Sequence, residues 1–143
     1  MEKSKFLEKY TLNNKVEVPN RLCIAPLTLF ASNPDGTIND AEREYLKLRG
    51  TGIGLYILGA TAVNQEGLTF LCQPRALSEK DLSSLEERAK IIKSQGALTI
   101  SQIHHGGIKA NPELSGTAPL APSSEIADKL LKNKAHFLNQ LKK

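Results

Sequence analysis

Three short apolar runs alternate with two segments of helical periodicity along the chain. The runs cover residues 22–25, 53–58 and 97–101. Each has the length and the unbroken apolar character of a strand that is buried on both faces of a sheet. Strands that alternate with helices predict a parallel sheet with right-handed crossover connections. We therefore expect an α/β fold with a βαβαβ core.

Two helices are predicted between these runs. The first begins after Asn39, which has Glu42 three positions later in the spacing of a capping box, and it ends before Gly50, which we expect to adopt a left-handed conformation. In the second, apolar residues recur at steps of three and four and predict one buried face, and Gly96 ends this helix. The residues of that face are Leu82, Leu85, Ala89 and Ile92.

Further segments flank this core. Residues 10–18 have the pattern of a short hairpin with a turn at Asn13 and Asn14. Residues 106–123 are rich in Gly, Pro, Ser and Ala and are predicted to form a loop. Residues 125–141 combine a loose apolar stripe with many lysines, which predicts a terminal helix with a solvated face.

The length of the chain limits how much of an α/β architecture it can form. Its 143 residues suffice for one domain, with core and loop over 22–123. A closed eight-stranded barrel takes about 200–250 residues, so the expected fold is a partial barrel of about three βα units. No apolar stretch approaches the length that spans a bilayer, and the first residues lack the apolar core of a secretion signal. We expect a cytoplasmic protein without a membrane partner.

Charge and cysteine usage narrow the class of protein further. The net charge of +4 comes largely from five lysines among the last fifteen residues, and no basic stripe is interleaved with aromatic rings. We therefore expect no nucleic-acid partner. Cys23 and Cys72 lie in apolar surroundings and form no CxxC pair, so both are predicted to be small buried side chains in a reducing compartment.

Small and polar residues follow each apolar run at the point where the predicted strand ends. The segments are Ala25–Thr28, Ala60–Ala62 and Ser101–Gly107. In parallel α/β folds the carboxyl ends of the strands are where ligands bind. A ligand site is therefore predicted at this edge of the sheet.

Two other motifs point to no site. His104 and His105 are adjacent on a predicted strand and face opposite sides, so no metal site is expected. The glycines of residues 50–54 precede a strand, whereas a dinucleotide-binding loop follows one. They are interpreted as the end of the first helix.

Four segments, in order along the chain, resemble the amino-terminal part of the old yellow enzyme family. These flavin-dependent ene-reductases and related oxidoreductases are built on a TIM (β/α)8 barrel. The segments are Pro19–Thr28, Gly54–Val63, Ser101–Gly107 and Ala121–Ser123. The resemblance extends from Leu12 to about Ser124 and implies a partial TIM barrel, here with a preceding hairpin and a C-terminal helix.

The resemblance implies FMN as the cofactor, with NADH or NADPH as the reductant. Pro26, Leu27 and Thr28 would lie against the flavin, and the Thr28 hydroxyl would tune its reduction, because a donor near a ring carbonyl stabilises the electron-rich reduced ring. Ala60 would allow close backbone approach at the flavin edge. Gln102 would hydrogen-bond the pyrimidine side of the ring, since an amide offers both donors and an acceptor.

Several of these positions have a structural alternative. Thr28 could cap the loop after its strand, and Ala60 could fill a barrel layer. Phe30 matches an aromatic residue that lies over the substrate in the family, or it packs in its loop. His105 matches the histidine of a His-x-Gly-Arg stretch, but Ile108 replaces the arginine, so the local charge network differs.

The implied reaction transfers hydride from NAD(P)H to the flavin and then to an electrophilic alkene or similar small molecule. In the family, later strands supply the substrate-anchoring, proton-donating and phosphate-binding groups, which have no counterpart in this sequence. The alternatives are an FMN-binding module without turnover and a non-catalytic fragment that associates with itself or with a complementary barrel fragment. Exposed strand edges would favour such association.

Overall fold

A three-stranded parallel sheet forms the centre of the molecule, which the computed structural model describes over residues 4–123. Its strands are β3 (Cys23–Ile24), β4 (Leu55–Ala62) and β5 (Leu98–His104), with β4 in the middle. Both pairings are parallel. The predicted parallel α/β fold is confirmed.

A two-stranded antiparallel hairpin precedes the sheet. Its strands are β1 (Tyr10–Thr11) and β2 (Glu17–Val18). A hydrogen bond from Leu12 N to Val16 O closes the turn between them. The Arg21 guanidinium lies over the Tyr10 ring at 4.7 Å, which packs the chain entering β3 against the hairpin.

Two helices cover one face of β4. Helix α1 spans Asp40–Arg49 and helix α2 spans Leu82–Lys93. Leu46 of α1 and Ile92 of α2 are buried against Tyr56 and Leu58, which alternate with half-buried residues along β4. This contact is the hydrophobic core of the described chain.

The start of α1 follows the prediction in part. The Asn39 side chain accepts a hydrogen bond from Glu42 N at 3.0 Å, as an N-cap does. The Glu42 carboxylate does not return to the cap, because it is held by Arg88 instead. The left-handed conformation predicted at Gly50 is wrong: its φ is −89°, and Gly52 carries the positive φ of 76°.

The buried face of α2 also differs from the prediction. Ser84, Arg88 and Ile92, at steps of four, are its buried residues. Leu82 is 51% exposed, and Leu85 and Ala89 are only half-buried. The polar pair Ser84 and Arg88 can face inward because each finds partners in the loop that precedes α1.

The remaining segments are described in part. The loop over 106–123 contains a 3-10 turn, Gly107–Lys109, and a short helix α3, Pro112–Ser115. The helix predicted over 125–141 lies outside the described residues. Within residues 4–123, no helix combines the length and hydropathy needed to cross a membrane.

The prediction that both cysteines are buried is wrong. Cys23 is exposed because β3 is an edge strand, and Cys72 is half-buried in the loop after β4. Neither forms a disulfide.

Candidate functional site

The carboxyl ends of β4 and β5 meet across a bulge. Leu58 lies opposite Ser101 and Ala60 lies opposite Gln102, so Gly59 is the extra residue of β4. The bulge lets the chain after β3 approach closely: a Cβ at Gly59 would collide with the Leu27 carbonyl oxygen and would lie 3.8 Å from the Thr28 Cα. Residues of three neighbouring strands thus gather at one edge of the sheet.

A cleft opens beside this edge. Its walls are mostly apolar and include Leu27, Thr28, Phe30 and Ala60. Pro26 and Gln102 are not on its walls. The cleft therefore collects four of the six predicted site residues, and Gln102 lies on the adjoining strand opposite Ala60.

Two aromatic rings form one wall of the cleft. Phe30 and Phe70 are 5.0 Å apart between centroids in an edge-to-face arrangement, a favourable geometry for aromatic pairs. Phe30 is 64% exposed and has a φ of 52°, a conformation that a bulky side chain adopts only when its surroundings hold it. Cys72, in the same cleft, has a φ of 61°.

Two polar side chains at this edge have unused hydrogen-bonding capacity. Neither the Thr28 hydroxyl nor the Gln102 amide forms a hydrogen bond with any residue from 4 to 123. Thr28 is exposed and Gln102 is half-buried. A hydroxyl and an amide, both at this edge, together offer donors and acceptors that suit a planar heterocycle with carbonyl and ring-nitrogen atoms. This donor set fits the flavin that the sequence suggests.

A buried ion pair lies at the back of the cleft. Arg88 Nε donates to Glu42 Oε1 at 2.8 Å, and the side chains are 2% and 5% exposed. Arg88 Nη2 also donates to Ser32 Oγ at 3.1 Å and to Gly36 O at 3.0 Å. Arg88 Nη1 is buried with no hydrogen-bond partner in the described part of the chain.

Sequence reasoning missed this network and the second aromatic residue. Glu42 has the spacing of a capping-box residue, and a charged residue such as Arg88 usually faces solvent. Phe70 lies in a loop, where no periodicity indicates which side chains meet. Arg88 lies four positions after Ser84 and four before Ile92, and this spacing on one helix face is the one signal that could have indicated its inward position.

The two histidines have separate partners. His104 Nδ1 is 3.1 Å from Nε2 of Gln73, a fully buried side chain, and His105 Nδ1 accepts from Gly107 N at 3.0 Å. Across residues 4–123, no group of three or more His, Cys, Asp or Glu could hold a metal ion. Both imidazoles thus organise the loops around the end of β5.

Displaced pKa values in this region have structural causes. Burial between the sheet and the helices raises the pKa of Tyr56 to about 12, so its phenol stays neutral at physiological pH. A hydrogen bond from Arg43 lowers the pKa of the Glu87 carboxyl, and this pair joins α1 to α2 on the surface. Each group thus takes part in packing the helices, and neither is at the edge that carries Thr28 and Gln102.

Comparison with known proteins gives the family. Residues 8–142 match the profile of the NADH:flavin oxidoreductase / NADH oxidase family. The chain belongs to this family. The similar part therefore takes in the sheet, both helices and the whole of the edge described above.

Individual relatives show how much of a family member the chain represents. It is 36% identical over 123 residues to a probable NADH-dependent flavin oxidoreductase, YqiG, of Bacillus subtilis, covering 86% of this chain and 33% of that protein. It is 35% identical over 127 residues to an NADH:fumarate oxidoreductase of Klebsiella pneumoniae, covering 86% of this chain and 13% of that protein. The chain thus spans a third or less of these two family members.

A solved structure supports the same family fold. The old yellow enzyme homologue from Zymomonas mobilis superimposes with a TM-score of 0.76 at 27% identity, over 84% of this chain and 33% of the other. The resemblance to old yellow enzymes is confirmed, and the parallel sheet with its two helices is a portion of their TIM barrel.

The bulge predicts that a side chain larger than that of glycine destabilises the protein at position 59. In Gly59→Ala the new methyl group would collide with the backbone of Leu27, which cannot move without displacing Thr28. We expect a loss of about 1–3 kcal/mol in the free energy of unfolding, the usual cost of overpacking, measured by urea denaturation.

Gly50→Ala is the matched control. Its methyl group meets only the flexible end of the Gln95 side chain, at 2.7 Å, and its φ of −89° suits alanine. We expect a smaller loss there. An equal loss in the two variants would contradict the close approach of the chain at Gly59.

Proposed function

We propose that the carboxyl-terminal edge of the sheet binds FMN and forms part of the active site of an FMN-dependent NAD(P)H oxidoreductase. The observation that carries the proposal is that the Thr28 hydroxyl and the Gln102 amide, on either side of β4 at one edge of a parallel sheet, form no hydrogen bond with any residue from 4 to 123. Family membership supplies the class of cofactor.

Each predicted residue has a role in this proposal. Thr28 donates its hydroxyl hydrogen to a carbonyl oxygen of the ring, which favours the electron-rich reduced state. Gln102 pairs with neighbouring ring oxygen and nitrogen atoms from the adjacent strand. Pro26 and Leu27 support the ring plane, and the small side chain of Ala60 permits backbone approach to the ring edge.

The chemistry that FMN supplies when bound is two-electron transfer, in which hydride from NADH or NADPH passes to an electrophilic C=C bond that also takes up one proton. Phe30 and Phe70 line the cleft beside Thr28 and give it an apolar wall. Such a wall supports a small, largely apolar substrate. The proton donor and the groups that bind the phosphate lie, by the family resemblance, in later parts of the barrel.

Flavin titration tests the proposal. Because the described site offers contacts to the ring, FMN and riboflavin should both quench their fluorescence on binding to the chain, with similar affinity. Thr28→Val and Gln102→Leu should each weaken binding by about three- to tenfold, the worth of one hydrogen bond. Thr28→Val should also shift the midpoint potential of the bound flavin to a more negative value.

Thr99→Val, on the same strand as Gln102, is the control. The Thr99 hydroxyl is buried without a partner among the described residues, so its removal should leave flavin affinity unchanged. A chain that binds neither flavin, or site variants that bind as well as Thr99→Val does, would overturn the proposal.

The exposed edge strand β5 favours a second candidate function, which is self-association or pairing with a complementary barrel fragment. Strand β5 has β4 on one side only in the described chain. It exposes 43% of Ile100 and 75% of Ile103. A strand edge with exposed β-branched apolar residues favours pairing with another chain.

Sedimentation at several protein concentrations tests this candidate. The wild-type chain should form oligomers, and Ile103→Lys should shift it towards the monomer because the charge would be buried at the new strand pairing. Leu48→Lys, at a residue of α1 that is 77% exposed, is the matched control and should leave the oligomer intact. A wild-type chain that is monomeric throughout would exclude self-association.

A further inference from the structure

We propose that Arg88 is a positioning residue for the flavin site. Together with Glu42 it holds the β3–α1 loop, residues 25–39, in the conformation that presents Pro26, Thr28 and Phe30. The effect on the flavin site rests on the proposed function, since the loop matters to catalysis only if its residues contact the flavin. The positioning itself is a property of the chain and can be measured without cofactor.

The contacts of the buried pair lead to this loop. Arg88 Nη2 donates to Ser32 Oγ and Gly36 O, which belong to the loop, and also to Glu42 Oε2 at 2.9 Å. Ser32 Oγ in turn donates to Glu42 Oε2 at 2.9 Å. Both members of the ion pair therefore bind the same serine, and the loop is fixed relative to α1 and α2 at once.

Arginine suits this position for a physical reason. Its planar guanidinium can bind a carboxylate with two nitrogen atoms and still reach a carbonyl and a hydroxyl, whereas a lysine ammonium is a single point of charge. A buried charge is costly unless it is paired and hydrogen-bonded. The loop supplies two of the acceptors of the guanidinium, Ser32 Oγ and Gly36 O, so the loop and the pair stabilise each other.

The first part of the loop, residues 25–30, needs such support because it has little packing of its own. Ala25, Pro26, Leu27 and Thr28 are exposed, and Phe30 holds a positive φ. A strained residue persists only where the surrounding structure holds it. Preformed geometry raises affinity because the ligand need not order the loop on binding.

Two further ties assist from outside the ion pair. Ser84 Oγ, one helical turn before Arg88, accepts from Ile38 N at 3.1 Å, and Arg75 Nη2 donates to Pro34 O at 2.9 Å. These ties hold the second half of the loop. Within the loop, Asn39 Nδ2 donates to Ala31 O. Among the hydrogen bonds of residues 4–123 that join the loop to other segments, those of Ser32 with Arg88 and Glu42 are nearest in sequence to Phe30 and Thr28, so we assign the positioning of the flavin side to them.

The chain offers a matched control pair on the same two helices. Arg43 of α1 and Glu87 of α2 form an ion pair at 2.6 Å, and the hydrogen bonds of their side chains do not involve the loop. Removing this pair tests the general effect of losing a link between α1 and α2. Removing Glu42 and Arg88 tests that effect together with the loss of the loop contacts.

The experiment compares the double variants E42L/R88M and R43M/E87L by hydrogen exchange and by FMN titration. Replacing a buried pair with apolar residues of similar size is often neutral for stability, so E42L/R88M should fold. We expect amide exchange in residues 32–38 to accelerate at least about tenfold in E42L/R88M and FMN affinity to fall by about tenfold. R43M/E87L should change neither.

Arg88→Lys is the second variant. It keeps the positive charge opposite Glu42 but lacks the planar guanidinium that reaches the carboxylate and the loop together. It should show the same faster exchange, and it decides the matter if the double variant does not fold. Unchanged exchange in residues 32–38 would overturn the inference. Faster exchange in a chain whose wild type binds no FMN would uphold the positioning and reject the proposed function, so the two failures are distinguishable.

Discussion

Parallel pairing of β4 with the strands on either side of it is the constraint on which the rest of this structure depends. It brings the chain after β3 and the ends of β4 and β5 to one edge, although the residues concerned are distant in sequence. The bulge at Gly59 adds the close approach of Leu27 and Thr28. Helices α1 and α2 pack on the core face of β4, and within residues 4–123 the Thr28 hydroxyl and the Gln102 amide at this edge have no hydrogen-bond partner.

The order of strands and helices was predictable because each element carries a local signal. Buried strands are short apolar runs, and Asn39 caps its helix through its own side chain. The positions of Ala60 and Gln102 opposite each other depend in addition on the bulge at Gly59, which shifts the register and which no apolar run indicates. The family resemblance added the chemical roles of these residues, which strand patterns alone do not contain.

What sequence reasoning missed depends on contacts between distant segments. The inward position of Arg88 requires Glu42, Ser32 and Gly36 to be in place, and no sequence pattern links these three residues to Arg88. Likewise the partners of Ser84 turn α2 so that Leu82 is exposed. Cys23 is exposed because β3 is an edge strand, which a count of apolar neighbours cannot indicate.

The central claim is that a planar flavin lies on the edge formed by these three strands. The most direct measurement is the change in backbone amide NMR signals of the labelled chain when FMN is added. The account predicts that the largest changes occur at Thr28, Ala60 and Gln102, with none in the hairpin of β1 and β2. Changes concentrated in the hairpin or on the outer faces of α1 and α2, or no changes at all, would contradict it.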